Sequence, residues 1–454
     1  MSKTNIVRPI YKKGEKLDIN NYRPITITSE IGKIYERVLL VRMLEFLNKE
    51  NIFCQFQHGF KKGLSTTTAV IDYIHQVISL LEQNKKVGTL FFDLSKAFDS
   101  VKHELLLDKL EAYGLRGIAY KTCKSYLLGR KQITEIHIKN DKCLSKVKSK
   151  QGIVRYGVPQ GSVLGPLMFL LYVNDINQPT NSTITSYADD TTVTFWGTCN
   201  VSLMETIVLG TNEILGYFRR NNLMCNMDKT KFMKFDLSKR EQLEQSLVIE
   251  NKNCDKTDTH KFLGIWIDSG LTWAQHIDSI CTKISKSIYL LRFFKHLLGS
   301  EELKMIYYGV IYPQIHYGIE VWGSAAKVHM NKLMVLQKKC IRIISNLKFG
   351  ESCRNAFKEH KMLTVYSLYV YRTILYIQNK NPAKNNDIHG YNTRGSINYH
   401  RYTTNKQIVF KDINVIGTIL YNKLPIQLKE RKHNFKTSLK SYLIEKCLYC
   451  MEEL

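Results

Sequence analysis

Apolar residues recur at helical spacing between Ile31 and Leu47, where Ile34, Val38, Val41 and Leu44 or Leu47 share a face and predict a core helix. A second helical run covers Ala69 to Leu81, after a Gly59–Thr68 loop, and Asn84-Lys85-Lys86 then interrupts the pattern. The continuous apolar stretch Val87 to Leu94 reads as a buried strand that Asp93 closes. Ser100 is placed to cap the next helix, whose stripe is Val101, Leu105, Leu106, Leu110 and Tyr113, with Gly114 suited to its left-handed end. Residues 130–150 are polar and predict an extended hairpin or loop carrying Lys139, Lys142, Lys146, Lys148 and Lys150. An apolar helix follows over Leu167 to Ile176, opened by Gly161, Gly165 and Pro166. Thr183 to Tyr187 and Thr191 to Phe195 alternate as a hairpin with Asp189 and Asp190 at its tip. Val201 to Arg220 is helical, Phe262 to Asp268 is a short β unit, and helical spacing dominates from Ile284 to Leu298 and near Leu333 to Leu347.

The 454-residue chain is long enough for several packed units. Its 66 Lys and Arg against 40 Asp and Glu give a net charge of +26, which points toward nucleic acid as the partner. A solvated basic surface is the plainer account of the same excess. No apolar run approaches the length that spans a bilayer, and the first residues hold no signal-peptide core, so the expectation is an intracellular protein without membrane association. Cys447 and Cys450 form a lone C-x-x-C with no second pair to complete a zinc site.

Asp93 and Asp189 come from separate strands that packing can bring together, and hard carboxylate oxygens suit Mg²⁺. Taken alone, Ala188-Asp189-Asp190 fits a hairpin turn as well as a metal site. Gly157-Val158-Pro159-Gln160-Gly161-Ser162 lets the backbone approach a ligand closely, though it also suits a loop leading into a helix. In order the chain also shows Asn21-Tyr22-Arg23-Pro24-Ile25, Gln57-His58-Gly59-Phe60, Phe92-Asp93-Leu94-Ser95-Lys96-Ala97-Phe98-Asp99, Tyr187-Ala188-Asp189-Asp190, Asn226-Met227-Asp228-Lys229-Thr230 and Phe262-Leu263-Gly264. Read as an ordered set, these stretches resemble the reverse transcriptases of non-LTR retrotransposons of the jockey kind.

The resemblance implies an α+β right-hand polymerase fold: partial fingers at 1–80, a palm with finger insertions at 81–275, a helical thumb at 276–348 and a C-terminal region of unknown role at 349–454. It implies that Asp93 and Asp189, with Asp190 beside them, ligate two Mg²⁺ ions, with Mn²⁺ as a substitute. Lys229 matches a proton donor to pyrophosphate, and Phe98 a steric gate against the ribose 2′-hydroxyl. Gln160, Gly161 and Arg23, with Lys12 or Lys13, match the nucleotide-binding positions, and Phe262, Leu263 and Gly264 a primer grip. The implied partners are an RNA template, a DNA primer and dNTPs, in the nucleus or in a cytoplasmic ribonucleoprotein. The polymerase motifs begin almost at Met1 with no endonuclease before them, so a copy truncated at its N-terminus is expected. A second reading stays open, a nucleic-acid-binding remnant that keeps fold and charge without synthesis.

Overall fold

The computed structural model describes residues 3–140, 143–235, 247–249, 252–388, 396–431 and 433–454. Lys142, one of the lysines expected in the basic hairpin, lies outside them. The chain divides into two compact units. One comprises Met1–Ala69, Gly88–Phe232 and Leu243–Lys256, the other Val70–Val87, Met233–Gln242 and Thr257–Leu454.

In the first unit, β1 (Thr4–Tyr11) pairs antiparallel with β2 (Tyr22–Ile27) and parallel with β5 (Lys131–Asn140). Strand β5 pairs antiparallel with both β6 (Cys143–Lys148) and β7 (Gly152–Ile153). A six-stranded sheet runs β12-β13-β11-β3-β9-β8, with β3 at Lys86–Phe92, β8 at Ser182–Tyr187, β9 at Asp190–Gly197, β11 at Lys231–Phe235, β12 at Leu247–Ile249 and β13 at Lys252–Lys256. Two short strands, β4 (Leu94–Ser95) and β10 (Met224–Cys225), form a separate ladder.

Sequence explains why β3 is interior: every residue from Val87 to Phe92 is buried, as expected of a strand covered on both faces. In β9 the β-branched run Thr191-Thr192-Val193-Thr194 is buried too, and Thr194 Oγ1 meets Thr89 Oγ1 at 3.0 Å, so a polar pair is satisfied inside the sheet. Helix α1 is Glu30–Lys49 and α2 Thr66–Glu82, followed by α3 (His103–Ala112), α4 (Gly117–Leu127), α5 (Gly165–Val173) and α6 (Asn200–Arg220). Pro166 opens α5, whose Leu167 to Tyr172 are all buried, the mark of a helix enclosed on every side. The buried ammonium of Lys109 on α3 donates to the Tyr172 carbonyl (2.6 Å), Asp175 Oδ1 (2.7 Å) and Asn221 Oδ1 (2.6 Å), which ties α3 to the ends of α5 and α6.

Two local expectations are corrected. Helix α1 forms where the periodicity places it, but Ile34, Val38 and Val41 are 61%, 51% and 54% exposed, whereas Glu36, Met43 and Leu47 are buried. The cause is Glu36, whose Oε2 accepts from the Val163 N–H (2.6 Å) and the Leu164 N–H (3.1 Å) just ahead of α5. Those amides would otherwise lack partners at a helix start, and satisfying them fixes the rotation of α1. Ser100 does not cap α3: it ends a 3₁₀ turn over Ala97–Asp99, its hydroxyl donating to the Ala97 carbonyl at 3.0 Å. Lys102 stands at the α3 N-cap without a side-chain bond.

The second unit is mainly helical. Strands β14 (Thr259–Phe262) and β15 (Ile265–Asp268) make a hairpin ahead of α7 (Ala274–Phe294). Further helices include Lys327–Ile344, Val365–Lys380, Ile413–Asn422 and Phe435–Lys446. Ile284, Ile288 and Leu291 are buried on α7 as expected, whereas Leu298, expected on the same face, lies beyond the end of the helix and is exposed. Tyr73 on α2 makes edge contacts with Phe235 and Phe262, at centroid distances of 6.5 and 5.6 Å. No described helix is long and apolar enough to cross a membrane.

Candidate active site

Asp93 follows the last residue of β3, and two interactions bring a distant segment beside it. The β4–β10 ladder pairs Leu94 with Cys225 and Ser95 with Met224, and the Asn226 N–H donates to the Asp93 carbonyl at 2.8 Å. The chain then turns tightly, with the N–H groups of Lys229 and Thr230 donating back to the Asn226 carbonyl at 3.2 and 3.0 Å. Lys229 is thereby presented to Asp93, Nζ to Oδ2 3.3 Å. Both side chains reach solvent, so this pair does little for stability; its interest lies in placing an amine at a carboxylate.

Asp189 and Asp190 occupy the β8–β9 hairpin, where Tyr187 pairs with Asp190 and Ala188-Asp189 form a two-residue turn. Burial raises the Asp189 carboxyl above its usual value, the nearby Asp93 charge raises it further, and Arg23 and Lys12 oppose both. Asp190 opens to solvent at the surface, yet it is pushed up to about 6, first by the protein packed around the turn and then by Asp189 and Asp93. The Asp93 charge therefore reaches both acids of the hairpin, Asp189 acts on Asp190 as well, and Lys12 lowers both members of the adjacent pair. Lys12 is thus the lysine of the Lys12-Lys13 pair whose charge bears on these acids; Lys13 is exposed.

Among the described residues no group of three or more His, Cys, Asp or Glu is drawn together as a ready-made cation cage. Mg²⁺ does not require one, because it is commonly held by one or two carboxylates with waters and substrate phosphates completing the octahedron. Hard oxygen donors whose charges reach a neighbouring carboxyl, as those of Asp93 and Asp189 reach Asp190, fit such an ion, since a cation between them removes the repulsion.

The Gly157–Ser162 loop is held against the Asp93 segment and β2. The Gly157 and Val158 N–H groups donate to the Val101 and Phe98 carbonyls, both at 2.8 Å, and the Thr26 N–H donates to the Gln160 carbonyl at 2.7 Å. Gly161 has φ +107°, and a Cβ there would lie 2.8 Å from the Thr26 oxygen, so this position requires glycine twice over. The Gln160 side chain donates from Nε2 to both oxygens of Asp99, at 2.9 and 3.0 Å. Burial raises the Asp99 carboxyl, with Gln160 and Lys96 opposing. Around this pair is a cavity of about 410 Å³ lined also by Pro24, Arg130, Gln132, Arg155 and Tyr156. Phe98 is half-buried and stacks on Phe169, centroids 4.5 Å apart and planes 26° from parallel.

Phe262, Leu263 and Gly264 belong to the second unit, at the turn between β14 and β15. Positive φ at both Leu263 (45°) and Gly264 (88°) makes a tight hairpin turn, and the Tyr317 hydroxyl donates to the Leu263 carbonyl at 2.5 Å. Sequence reasoning did not find Asp99, Glu36 or Tyr317. Asp99 had a signal, being the second acid of its own motif, whereas nothing local distinguishes Glu36 among the acids of α1.

The strand-end carboxylate, the hairpin carrying two more, the adjacent lysine and the glycine-bounded Pro-Gln loop all belong to the first unit. Residues 10–267 match the reverse transcriptase (RNA-dependent DNA polymerase) family, and the chain belongs to that family. It is 29% identical over 374 residues to a probable RNA-directed DNA polymerase from transposon X-element of Drosophila melanogaster, covering 80% of this chain and 40% of that one. It is 31% identical over 349 residues to the RNA-directed DNA polymerase from mobile element jockey of Drosophila funebris, covering 74% and 37%. The chain thus spans about two-fifths of the length of these relatives. A solved structure of apo telomerase from Candida tropicalis shares 11% identity, covering 83% of this chain and 66% of that one, with a TM-score of 0.43.

Proposed function

We propose that this chain is an RNA-directed DNA polymerase of a non-LTR retrotransposon, extending a DNA primer with dNTPs on an RNA template. The observation that carries the reading is that Lys229 stands 3.3 Å from Asp93, whose charge in turn reaches Asp189 and Asp190 on the hairpin, in a chain of the reverse transcriptase family. The first unit serves as palm with finger elements, and the helical stretch from 276 to 348 as thumb. The 349–454 region has no assigned role in this reading.

Asp93 and Asp189 hold the metal ions, and Asp190 contributes negative charge beside them. Bound Mg²⁺, or Mn²⁺ in its place, supplies a lowered pKa for the primer hydroxyl and neutralises the triphosphate. Arg23 and Lys12, whose charges already act on Asp189, offer cationic contact to the triphosphate, with Lys13 adjacent. Lys229 donates its proton to the departing pyrophosphate, a role its position 3.3 Å from a metal-binding carboxylate supports. Gln160 and Gly161 border the nucleotide and template, and Phe98, stiffened by Phe169, discriminates against the ribose 2′-hydroxyl. Phe262, Leu263 and Gly264 present backbone to the primer.

Primer extension on an RNA template with dNTPs and Mg²⁺ tests the proposal. Asp189→Asn is expected to lower the extension rate at least about a thousandfold while RNA binding persists, the scale of losing a group that stabilises developing charge. A folded wild-type chain that binds RNA but extends nothing would sink the reading.

A further inference from the structure

The Gln57-His58-Gly59 stretch has no part in the chemistry above, yet it lies against the catalytic turn. The Phe56 carbonyl accepts from the Ser186 N–H at 2.9 Å and the His58 N–H donates to the Ser186 carbonyl at 2.8 Å, so residues 56–58 run as a short parallel bridge along β8. That bridge aims the Gln57 side chain, 3% exposed, at Ala188. Its Oε1 accepts from the Ala188 N–H at 2.9 Å and from the Gly59 N–H at 2.8 Å, while its Nε2 donates to the Ala188 carbonyl at 3.3 Å. Gly59 permits the approach: a Cβ there would lie 2.5 Å from the Ala188 nitrogen.

Ala188 is the strained point of this turn. Its φ is +57° and Asp189 has no positive φ, the pattern of a type II′ hairpin, which ordinarily places glycine at the first turn position. Gln57 engages the N–H on one side of Ala188 and the C=O on the other. It therefore fixes both peptide planes flanking that Cα, and so both of its dihedral angles. The second plane joins Ala188 to Asp189 and so sets the direction in which the Asp189 side chain leaves the turn. A flipped plane would carry the carboxylate to another direction.

We propose that Gln57 is a positioning residue for polymerisation, holding the Ala188-Asp189 turn in the strained form that aims Asp189 at the metal site. This rests on the polymerase reading for its catalytic consequence, but the hold itself is a property of the fold. Two readouts separate them. The first is hydrogen exchange of the peptide spanning 182–195, compared in wild type, Gln57→Met and Gln57→Met/Ala188→Gly. Gln57→Met is expected to speed exchange at the turn at least about tenfold with the rest of the chain unchanged. Adding Ala188→Gly is expected to restore most of the protection, because glycine adopts this turn without help. Wild-type exchange in Gln57→Met, or equal acceleration throughout the molecule, overturns the proposal. If Gln57→Met fails to fold, Gly59→Ala, which pushes the bridge off the turn, is expected to give the same local acceleration, and its absence overturns the proposal equally.

The second readout is primer extension. Displacing Asp189 by about an ångström is expected to lower kcat by ten- to a hundredfold with dNTP KM within about twofold, and the glycine rescue is expected to recover it. An unchanged kcat in a variant whose turn exchanges rapidly overturns the positioning role. A wild type without extension activity would remove the polymerase reading, and the exchange comparison would still decide whether Gln57 holds the turn.

Discussion

Glu36 shows how one side chain sets the surroundings of the site. Its carboxylate, 2% exposed, serves the Val163 and Leu164 N–H groups directly downstream of the Pro159-Gln160-Gly161 loop. Glu36→Ala leaves both amides without an acceptor in the interior and is expected to cost about 3 kcal/mol in equilibrium urea unfolding, while Glu36→Gln, which keeps an acceptor, is expected to recover more than half. Candidate site residues such as Asp93, Asp189 and Gln160 could be singled out in the sequence because their motifs are short and ordered. Their partners could not. Gln160 bonds Asp99 across 61 positions, and Glu36 reaches Val163 across 127, separations that no local pattern encodes.

At the scale of elements, helix identity was largely readable and helix orientation was not. The periodicity places α1, α2 and α6 within a few residues, whereas α7 begins ten residues ahead of the expected Ile284; α1 carries apolar residues on more than one face, and a hydrogen-bonding demand decided between them. A similar polar tie joins α2 to the helix Ile413–Asn422. His75 Nδ1 lies 2.5 Å from Oδ2 of Asp412, and Asp412 also caps that helix by accepting from the Asn414 N–H at 2.8 Å. The hydrogen bond to Asp412 raises the His75 pKa above its ordinary value, helped by the charges of Asp412 and Asp72, against burial and Lys380. The folded chain thus holds this proton more tightly than the unfolded one. The stabilisation is complete below about pH 6.5 and is lost as pH rises through the higher folded-state value. Melting temperature is expected to drop by about 1–2 °C on this account between pH 6.5 and 8. Asp412→Asn, which keeps the cap, should remove that slope. An identical pH profile in the variant would show that His75 is not its source.

For the molecule as a whole, the +26 charge was the plainest signal in the sequence, and it carries a prediction about binding. If six to ten phosphates are neutralised, affinity for a primer–template is expected to fall by about 10³- to 10⁵-fold between 50 and 200 mM salt, measured by fluorescence anisotropy. A shallow dependence would mean that most of the charge merely faces solvent. The division into two units was less legible, because α2, early in the chain, belongs from Val70 onward with the C-terminal helices. Sequence order does not reveal such an exchange, since it is made by packing such as that of Tyr73 on Phe235 and Phe262. The exposed row Ile34, Val38 and Val41 has a different kind of consequence. With the rotation of α1 set by the Glu36 carboxylate, the fold of the described chain asks little of these three positions. Homologous chains are therefore expected to vary along this row sooner than at Glu36, because exposed side chains away from such contacts carry little of the stability.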